Sequence, residues 1–205
     1  MTHLMFKLKK SPVALVFLVQ WYLRNKPIPS PPVYKERVVS EYGKRFGIDI
    51  LFESGTFRGD MVYATKNQFK RMITVELFDY YYKNAVKLFK NDKHIEIYFG
   101  DSGKEIKKII KTINKPTLFW LDAHFVGPGT AKGKLNTPIM NELKTILSHK
   151  IKSHVILIDD AGYFNGKNDY PTIGKLKDMF KDSGYSLKVE NDIIRITPPL
   201  ISTHL

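Results

Sequence analysis

Three aspartates stand at the ends of two short apolar segments, and their type and spacing favour metal chemistry. Asp122 ends residues 117–122, and Asp159 and Asp160 end residues 154–160. If these segments form neighbouring strands, their ends lie about 5 Å apart and bring the carboxylates together. Such a cluster needs proton uptake, a basic side chain or a cation to neutralise it. Oxygen ligands suit Mg²⁺ or Mn²⁺, so we predict a divalent metal, with helix capping or structural hydrogen bonding as the alternative.

His124 follows Asp122 by two residues and is the candidate proton acceptor. Its imidazole titrates near neutral pH, so it can serve as a general base or as a further metal ligand. An ordinary loop histidine is the alternative. Two long loops, residues 125–137 and 161–170, flank the aspartates and are typical of segments that carry binding residues. The second loop holds aromatic side chains that either stack on a ring of a substrate or pack the loop, namely Tyr163, Phe164 and Tyr170.

A second group of candidate residues follows three earlier apolar segments. Gly55 and Gly59 lie in the loop after the first segment, where glycine permits a tight turn and close approach to a ligand. Glu76 ends the second segment, about 20 residues later, where a carboxylate can accept both hydroxyls of a ribose. Asp101 and Ser102 end the third, where they can bind the amino edge of an adenine or cap a helix. A solvated glutamate is the alternative for Glu76.

The pattern of apolar residues predicts the scaffold that positions these groups. Helix-like stripes separate five short apolar segments, which is typical of a doubly wound parallel sheet with helices on both faces. Only Asn191 and Asp192 separate two further strand-like segments, residues 185–190 and 193–197. So short a link permits only an antiparallel hairpin. Five parallel strands followed by a hairpin distinguish methyltransferase sheets from most dinucleotide-binding ones. The five segments are residues 48–53, 72–76, 94–99, 117–122 and 154–159.

The first 32 residues are predicted to form a helical segment and a proline-rich connector, ahead of a domain at 33–205. Residues 12–23 are the only long apolar run, and at 12 residues they fall short of the roughly 20 needed to span a bilayer. A helix packed on the domain and a helix at a membrane surface are the two interpretations. Residues 27–32 are rich in proline and predict a stiff connector.

The composition suits one globular domain of 205 residues, with 43% hydrophobic residues. The chain has no cysteine, which excludes disulfides and thiolate metal sites. The formal net charge is +13. Either it reflects a solvated lysine-rich surface or it indicates an anionic partner such as nucleic acid.

These motifs together resemble a branch of the class I methyltransferases that use S-adenosylmethionine (SAM). ESGTFRGD, VEL, GDS, FWLDAH and LIDDA occur in this order, and the resemblance covers about residues 33–197. The metal-side motifs are the most specific, and they are similar to those of macrocin-type sugar O-methyltransferases and, more distantly, catechol O-methyltransferase. The chain is also similar to small sugar methyltransferases of large DNA viruses.

The resemblance implies a Rossmann-like, seven-stranded sheet of order 3-2-1-4-5-7-6. It implies SAM bound by Glu53, Gly55, Thr56, Gly59, Glu76, Asp101, Ser102 and Asp122, and Mg²⁺ or Mn²⁺ bound by Asp122, Asp159 and Asp160. Catechol-type enzymes place a lysine base three residues after the first metal aspartate, where this chain has Phe125. His124 is therefore the predicted base, with Asp122 as the other catalytic residue.

The expected reaction is metal-assisted methyl transfer to a hydroxyl of a sugar or glycan that carries a vicinal diol. Two alternatives stay open: a nucleic-acid methyltransferase, which the motifs do not favour, and a non-catalytic module that works beside a glycosyltransferase. We expect a cytoplasmic protein, in the host cell if the chain is viral, with peripheral membrane contact through the N-terminal helix as a further expectation. The oligomeric state is left open, with a homodimer as one candidate.

Overall fold

The structure is a computed structural model that describes residues 12–123 and 135–199. Its strands form one seven-stranded sheet of order β3-β2-β1-β4-β5-β7-β6, which confirms the predicted order. The strands are β1 (Ile50–Ser54), β2 (Arg71–Glu76), β3 (Ile95–Phe99), β4 (Thr117–Leu121), β5 (Val155–Ile158), β6 (Ser186–Glu190) and β7 (Ile193–Thr197). The helices are α1 (Pro12–Leu23), α2 (Pro32–Arg45), α3 (Asp60–Thr65), α4 (Asp79–Leu88), α5 (Ser102–Ile109), α6 (Ile139–Ser148) and α7 (Ile173–Phe180).

The first five strands are parallel, and the last two form the predicted antiparallel hairpin. Asn191 and Asp192 make its turn with φ angles of 49° and 62°. Two successive left-handed residues are the hallmark of a type I′ turn, whose twist matches that of the strands it joins. Every residue of β1, β4 and β5 is buried, because helices cover both faces of the sheet.

Each face of the sheet has its own apolar core. Helices α5, α6 and α7 cover one face, and four isoleucines at helical spacing are buried there, namely Ile106, Ile109, Ile110 and Ile113. Helices α1 to α4 cover the other face, where Val38, Val39 and Phe89 are buried. The carboxyl ends of the parallel strands therefore meet along one edge between two helical layers.

Residues 12–23 form α1, as the apolar run predicted, and one side of this helix packs on the domain. Leu18 and Trp21 are buried, and the Trp21 ring lies 4.7 Å from the ring of Tyr34 on α2. Trp21 Nε1 also donates a hydrogen bond to the carbonyl of Pro27 at 2.7 Å. Among the helices of the described residues, none is long and apolar enough to cross a membrane. The boundary after residue 32 stays a prediction.

Candidate functional site

The predicted acidic residues lie at the carboxyl ends of two neighbouring strands. Asp122 follows β4, and its backbone N–H donates to the carbonyl of Ser54 at 3.1 Å. Asp159 follows β5, and its N–H donates to the carbonyl of Leu121, also at 3.1 Å. The hydrogen-bond ladder thus continues one residue past each strand and fixes the backbone of both aspartates. Asp160 comes next, in a left-handed conformation with φ of 52°.

Lys35 reaches this edge from helix α2 and contacts two of the three aspartates. Its Nζ donates to Asp159 Oδ2, and it lies 3.4 Å from Asp160 Oδ1. Burial opposes the charge of Lys35, but Asp159, Asp160 and Asp122 outweigh it, so the pKa of Lys35 is raised. Burial raises the pKa of Asp159, Lys35 opposes that rise, and Asp160 adds to it. Asp122, Asp159 and Asp160 form what we call the acidic cluster. Lys35 is therefore the basic side chain that this cluster requires.

While the ammonium group of Lys35 contacts Asp159 and Asp160, the carboxylates of the described residues are not arranged to bind a divalent cation. Among the described residues, Asp159 Oδ1 is buried without a hydrogen-bond partner, so this oxygen could bind a cation. Its second oxygen, however, is already bonded to the ammonium group of Lys35. Within residues 12–123 and 135–199, no group of three or more acidic or histidine side chains is arranged to hold a metal ion. The metal role of Asp122, Asp159 and Asp160 stays a prediction.

Lys35 was not among the predicted site residues, because no pattern in the neighbouring sequence indicates a buried ion pair. The apolar stripe in the sequence of α2 runs through Tyr34, Val38 and Tyr42, which puts Lys35 next to the stripe and suggests a solvated side chain. Val39 is completely buried, so the buried face of α2 is wider than the stripe. Lys35 lies one helical turn before Val39 and shares that face.

Glu76 ends β2 with its carboxylate fixed by two backbone donors. The N–H of Phe57 donates to one oxygen and the N–H of Phe78 to the other, each at 2.7 Å. Each carboxylate oxygen retains a lone pair, because it accepts only one of these bonds. The side chain is thus held in one orientation at the edge of the sheet and can accept further hydrogen bonds from a ligand with two adjacent hydroxyls.

Glu53 and Thr56 belong to a buried chain of hydrogen bonds beside Glu76. Thr74 Oγ1 donates to Glu53 Oε2 at 2.6 Å and lies 2.5 Å from Thr56 Oγ1. Burial raises the pKa of Glu53 to about 8, the Thr74 hydroxyl opposes the rise, and the Glu76 carboxylate adds to it. These contacts give both residues a structural role, and their predicted contact with a cofactor stays a prediction.

The two glycines of the loop after β1 are required by packing inside the protein. A Cβ on Gly55 would lie 2.7 Å from the carbonyl oxygen of Asp122, and its φ is +85°. A Cβ on Gly59 would lie 2.9 Å from the ring of Phe89, and its φ is +77°. The loop therefore lies directly on the end of β4, next to the acidic cluster. Their predicted role in cofactor binding is not tested by these contacts.

Asp101 and Ser102 begin helix α5 as the capping alternative predicted. Asp101 Oδ1 accepts from the N–H of Gly103 at 2.9 Å. Ser102 Oγ is buried, and its hydroxyl lies near the carboxyl of Glu142, whose raised pKa it opposes. Contact of either residue with an adenine stays a prediction.

Glu142 on α6 is a buried acid that the sequence analysis did not identify. It is 1% exposed, lies near the hydroxyls of Ser54 and Ser102, and its Oε1 has no hydrogen-bond partner within the described chain. Burial raises the pKa of Glu142 to about 7, although both hydroxyls oppose the rise. A signal was present, since Glu142 lies between the buried Ile139 and Ile146 at helical spacing.

A small cavity joins Glu142 to the acidic cluster. Glu142 and Asp159 both line it, together with Thr137 and the loop residues Phe164 and Tyr170. Phe164 and Tyr170 are buried in the core. Of the two interpretations of these side chains, stacking on a substrate ring or packing of the loop, their burial agrees with the second. Tyr163 is half exposed and stacks on Tyr170, with ring centroids 5.6 Å apart.

His124, the predicted base, lies outside the described residues, as do Phe125 and most of the loop at 125–137. Its role as proton acceptor therefore stays a prediction. The same holds for the contribution of that loop to the site.

Neither a family model nor a curated protein sequence matches the chain. Solved structures do share its fold. An O-methyltransferase from Bacillus cereus in complex with S-adenosylhomocysteine is 14% identical, with a TM-score of 0.58 over 92% of this chain and 91% of that one. The O-methyltransferase TomG from Streptomyces achromogenes, in complex with SAM, is 13% identical, with a TM-score of 0.59 over 93% and 92%.

A methyltransferase from Podospora anserina, bound to S-adenosylhomocysteine, is 17% identical, with a TM-score of 0.57 over 94% of this chain and 92% of that one. At such identities the likeness establishes the fold, a Rossmann-like methyltransferase fold. The reaction has to be argued from the residues of this chain.

Proposed function

We propose that the chain is a SAM-dependent O-methyltransferase whose acceptor is a hydroxyl of a sugar or glycan. The observation that carries the proposal is the carboxylate of Glu76, fixed by the backbone N–H groups of Phe57 and Phe78 at the end of β2. In this fold, ligands bind outside the carboxyl ends of the strands. The solved structures of the same fold described above include SAM and S-adenosylhomocysteine complexes.

The described residues fit an adenosine group at this edge. Glu76 can accept both ribose hydroxyls, and Asp101 and Ser102 follow the next strand, β3. When bound, SAM supplies a methyl group on a positively charged sulfur. The transfer forms a bond between this carbon and the acceptor oxygen, breaks the carbon–sulfur bond and releases one proton. His124 is the predicted acceptor of that proton.

The acidic cluster and the loop beside it support a hydroxyl-rich acceptor. Asp159 Oδ1 is a buried oxygen without a hydrogen-bond partner in the described structure, and Asp159 lines the cavity beside Glu142. Such an oxygen gains most from a hydroxyl donor, because a buried acceptor left unpaired costs about 1–3 kcal/mol. Half-exposed Tyr163 offers an aromatic face at the same end of the sheet. A sugar supplies both hydroxyls and an apolar ring face.

The role of this chain's residues is to orient the acceptor, since holding two reactants in line is a large part of catalysis in such displacements. The ion pair of Lys35 with Asp159 and Asp160 reduces the repulsion between these carboxylates. Assistance by Mg²⁺ or Mn²⁺ is a prediction from the three aspartates and from the resemblance.

The test separates cofactor binding from transfer. In calorimetry with the full chain, SAM should bind the wild type, and Glu76→Ala should weaken that binding by about a hundredfold, because two hydroxyls lose their acceptor. Asp160→Asn should bind SAM normally but lower transfer of a labelled methyl group to oligosaccharide acceptors by about a hundredfold. Glu41→Ala, at an exposed glutamate of α2, is the matched control for both measurements.

Failure of the wild type to bind SAM or S-adenosylhomocysteine would overturn the proposal. Binding without transfer to any acceptor would favour the non-catalytic module. Transfer to RNA or DNA, with steep dependence on salt, would favour a nucleic-acid methyltransferase instead.

A further inference from the structure

Helix α1 presents a wide apolar surface to solvent. Its outward-facing side chains include Phe17 at 61% and Leu23 at 81% exposed, and the same face continues with Leu15, Val16, Val19 and Tyr22. Soluble proteins rarely expose so many adjacent large apolar side chains, because each one in water forfeits its transfer free energy. This face, which we define by these six residues, therefore requires an occupant.

The face has a fixed direction relative to the domain. Leu18 and Trp21 on the opposite side of α1 are buried, and Trp21 packs on Tyr34 and bonds to the carbonyl of Pro27. Rotating α1 to bury its outer face would expose Trp21 and break these contacts. The outer face is therefore held outward by the packing of the inner one.

The charge around α1 indicates the chemistry of the occupant. Residues 1–34 contain five lysines and arginines and no aspartate or glutamate. Arg24 and Lys26 are exposed directly after the helix, and Lys26 Nζ lies 5.1 Å from the ring of Tyr22. An apolar surface edged by cations and aromatic rings matches the boundary between the acyl chains and the anionic headgroups of a bilayer.

We propose that α1 docks its outer face on the surface of an anionic lipid bilayer and anchors the domain there. The helix has 12 residues and is about 18 Å long at 1.5 Å per residue, well short of the roughly 30 Å of a hydrocarbon core. It therefore lies in the plane of the interface. Basic flanks strengthen such binding by about 1 kcal/mol for each Lys or Arg near an anionic surface.

Docking in this way would place the membrane on the side of the domain that carries α1 and α2. Tyr34, which contacts Trp21, is followed on α2 by Lys35, which contacts Asp159. Ile28, 64% exposed in the connector, approaches Gly162 of the loop that carries Tyr163. Under the proposed function, an acceptor presented at the bilayer surface would lie on the same side of the domain as α2, whose Lys35 contacts the acidic cluster.

The experiment is co-flotation of the full chain with vesicles of phosphatidylcholine, with or without phosphatidylserine. We expect flotation with the anionic vesicles and a decrease at high salt. The double variant Phe17→Ser and Leu23→Ser should lower the partition coefficient by about tenfold, because two inserted side chains are lost. Val86→Ser with Val189→Ser, at exposed valines on α4 and β6, is the matched control and should float like the wild type.

A second pair of double variants tests the contribution of the basic residues that follow α1. Arg24→Glu with Lys26→Glu should reduce flotation with anionic vesicles, whereas Lys175→Glu with Lys177→Glu, exposed on α7 across the sheet, should not. Circular dichroism and SAM affinity, which the α1 variants should keep, report folding and the proposed function separately.

Absence of wild-type flotation with both kinds of vesicle would overturn the proposal. The same conclusion would follow if light scattering gave a stable dimer that the Phe17 and Leu23 substitutions made monomeric. In that case the face is covered by a second copy of the chain.

Discussion

Lys35 supplies the positive charge between Asp159 and Asp160, and the chemistry at this end of the sheet depends on which cation holds that position. The lysine side chain is 16% exposed and that of Asp159 only 2%. Removing one partner from so buried a pair leaves an uncompensated charge, at a cost of about 3–5 kcal/mol. A bound dication would restore the balance.

We therefore expect Lys35→Met to be destabilised by about 3 kcal/mol and to bind Mn²⁺ more tightly than the wild type does. Thermal unfolding with and without Mn²⁺, together with calorimetric titration of the metal, measures both effects. Lys70→Met removes an exposed ion pair with Asp49 and is the control. Measurable and equal Mn²⁺ affinity in the wild type and the variant would contradict the role given to Lys35. It would also support the predicted metal site.

Glu142 makes the stability of the fold depend on pH. Burial raises its pKa from 4.5 to about 7, so the folded state binds this proton more tightly than the unfolded state. Stability from the neutral carboxyl is complete below pH 4.5 and decreases as the pH rises to about 7. The shift corresponds to a loss of about 3 kcal/mol across this window.

Glu142→Gln keeps a neutral side chain at every pH. Its free energy of unfolding should match that of the wild type below pH 4.5 and exceed it above about pH 7. Denaturant titrations at several pH values give the difference directly, and other titrating groups cancel because both proteins contain them. A difference that does not change with pH would show that Glu142 titrates alike in both states.

Among the elements, the loop between β1 and α3 is the most constrained, because it packs on the end of β4. Gly55→Ala combines a left-handed backbone with a Cβ 2.7 Å from the Asp122 carbonyl oxygen, and we expect a loss of about 2–4 kcal/mol. Gly47→Ala is the matched control, since its φ is +59° and no atom lies within 4 Å of the added Cβ. It should cost only about 1–2 kcal/mol.

Chemical denaturation of the two alanine variants tests this difference. Equal losses of unfolding free energy in the two variants would mean that the loop after β1 accommodates the added methyl group without a steric cost beyond that of the left-handed backbone. SAM titration of Gly55→Ala adds a second readout, because the same loop carries Phe57, whose N–H holds Glu76.

The elements themselves were predictable because their burial leaves a periodic signature. Strands such as β5 read as continuous apolar segments, and α5 carried its buried isoleucines at helical spacing. The predicted bounds differ from the observed ones by one or two residues at several ends. The segment 48–53, for example, begins at Ile50, because Ile48 and Asp49 lie in the turn that enters β1.

At the scale of the whole molecule, the sheet separates two apolar cores and leaves its carboxyl edge for polar chemistry. Helix α1 joins the core on the side of α2 and exposes its other side. The formal charge of +13 acts on the same scale, since it attracts any anionic surface over roughly a Debye length. A lipid surface and a nucleic acid would both respond to that charge, and only the lipid surface would use the apolar face of α1.

The sequence by itself determined the order of strands and helices along the chain and the closing hairpin. It also determined that Glu76, Asp122, Asp159 and Asp160 lie at strand ends. Each of these follows from local patterns, because burial and turn chemistry constrain residues that are close in the chain. The tertiary structure decided which groups meet there. Lys35 lies 124 residues before Asp159, and only the packing of α2 on the sheet joins them. No local pattern records an ion pair between such distant elements, so the cation at the acidic cluster became visible only in the folded protein.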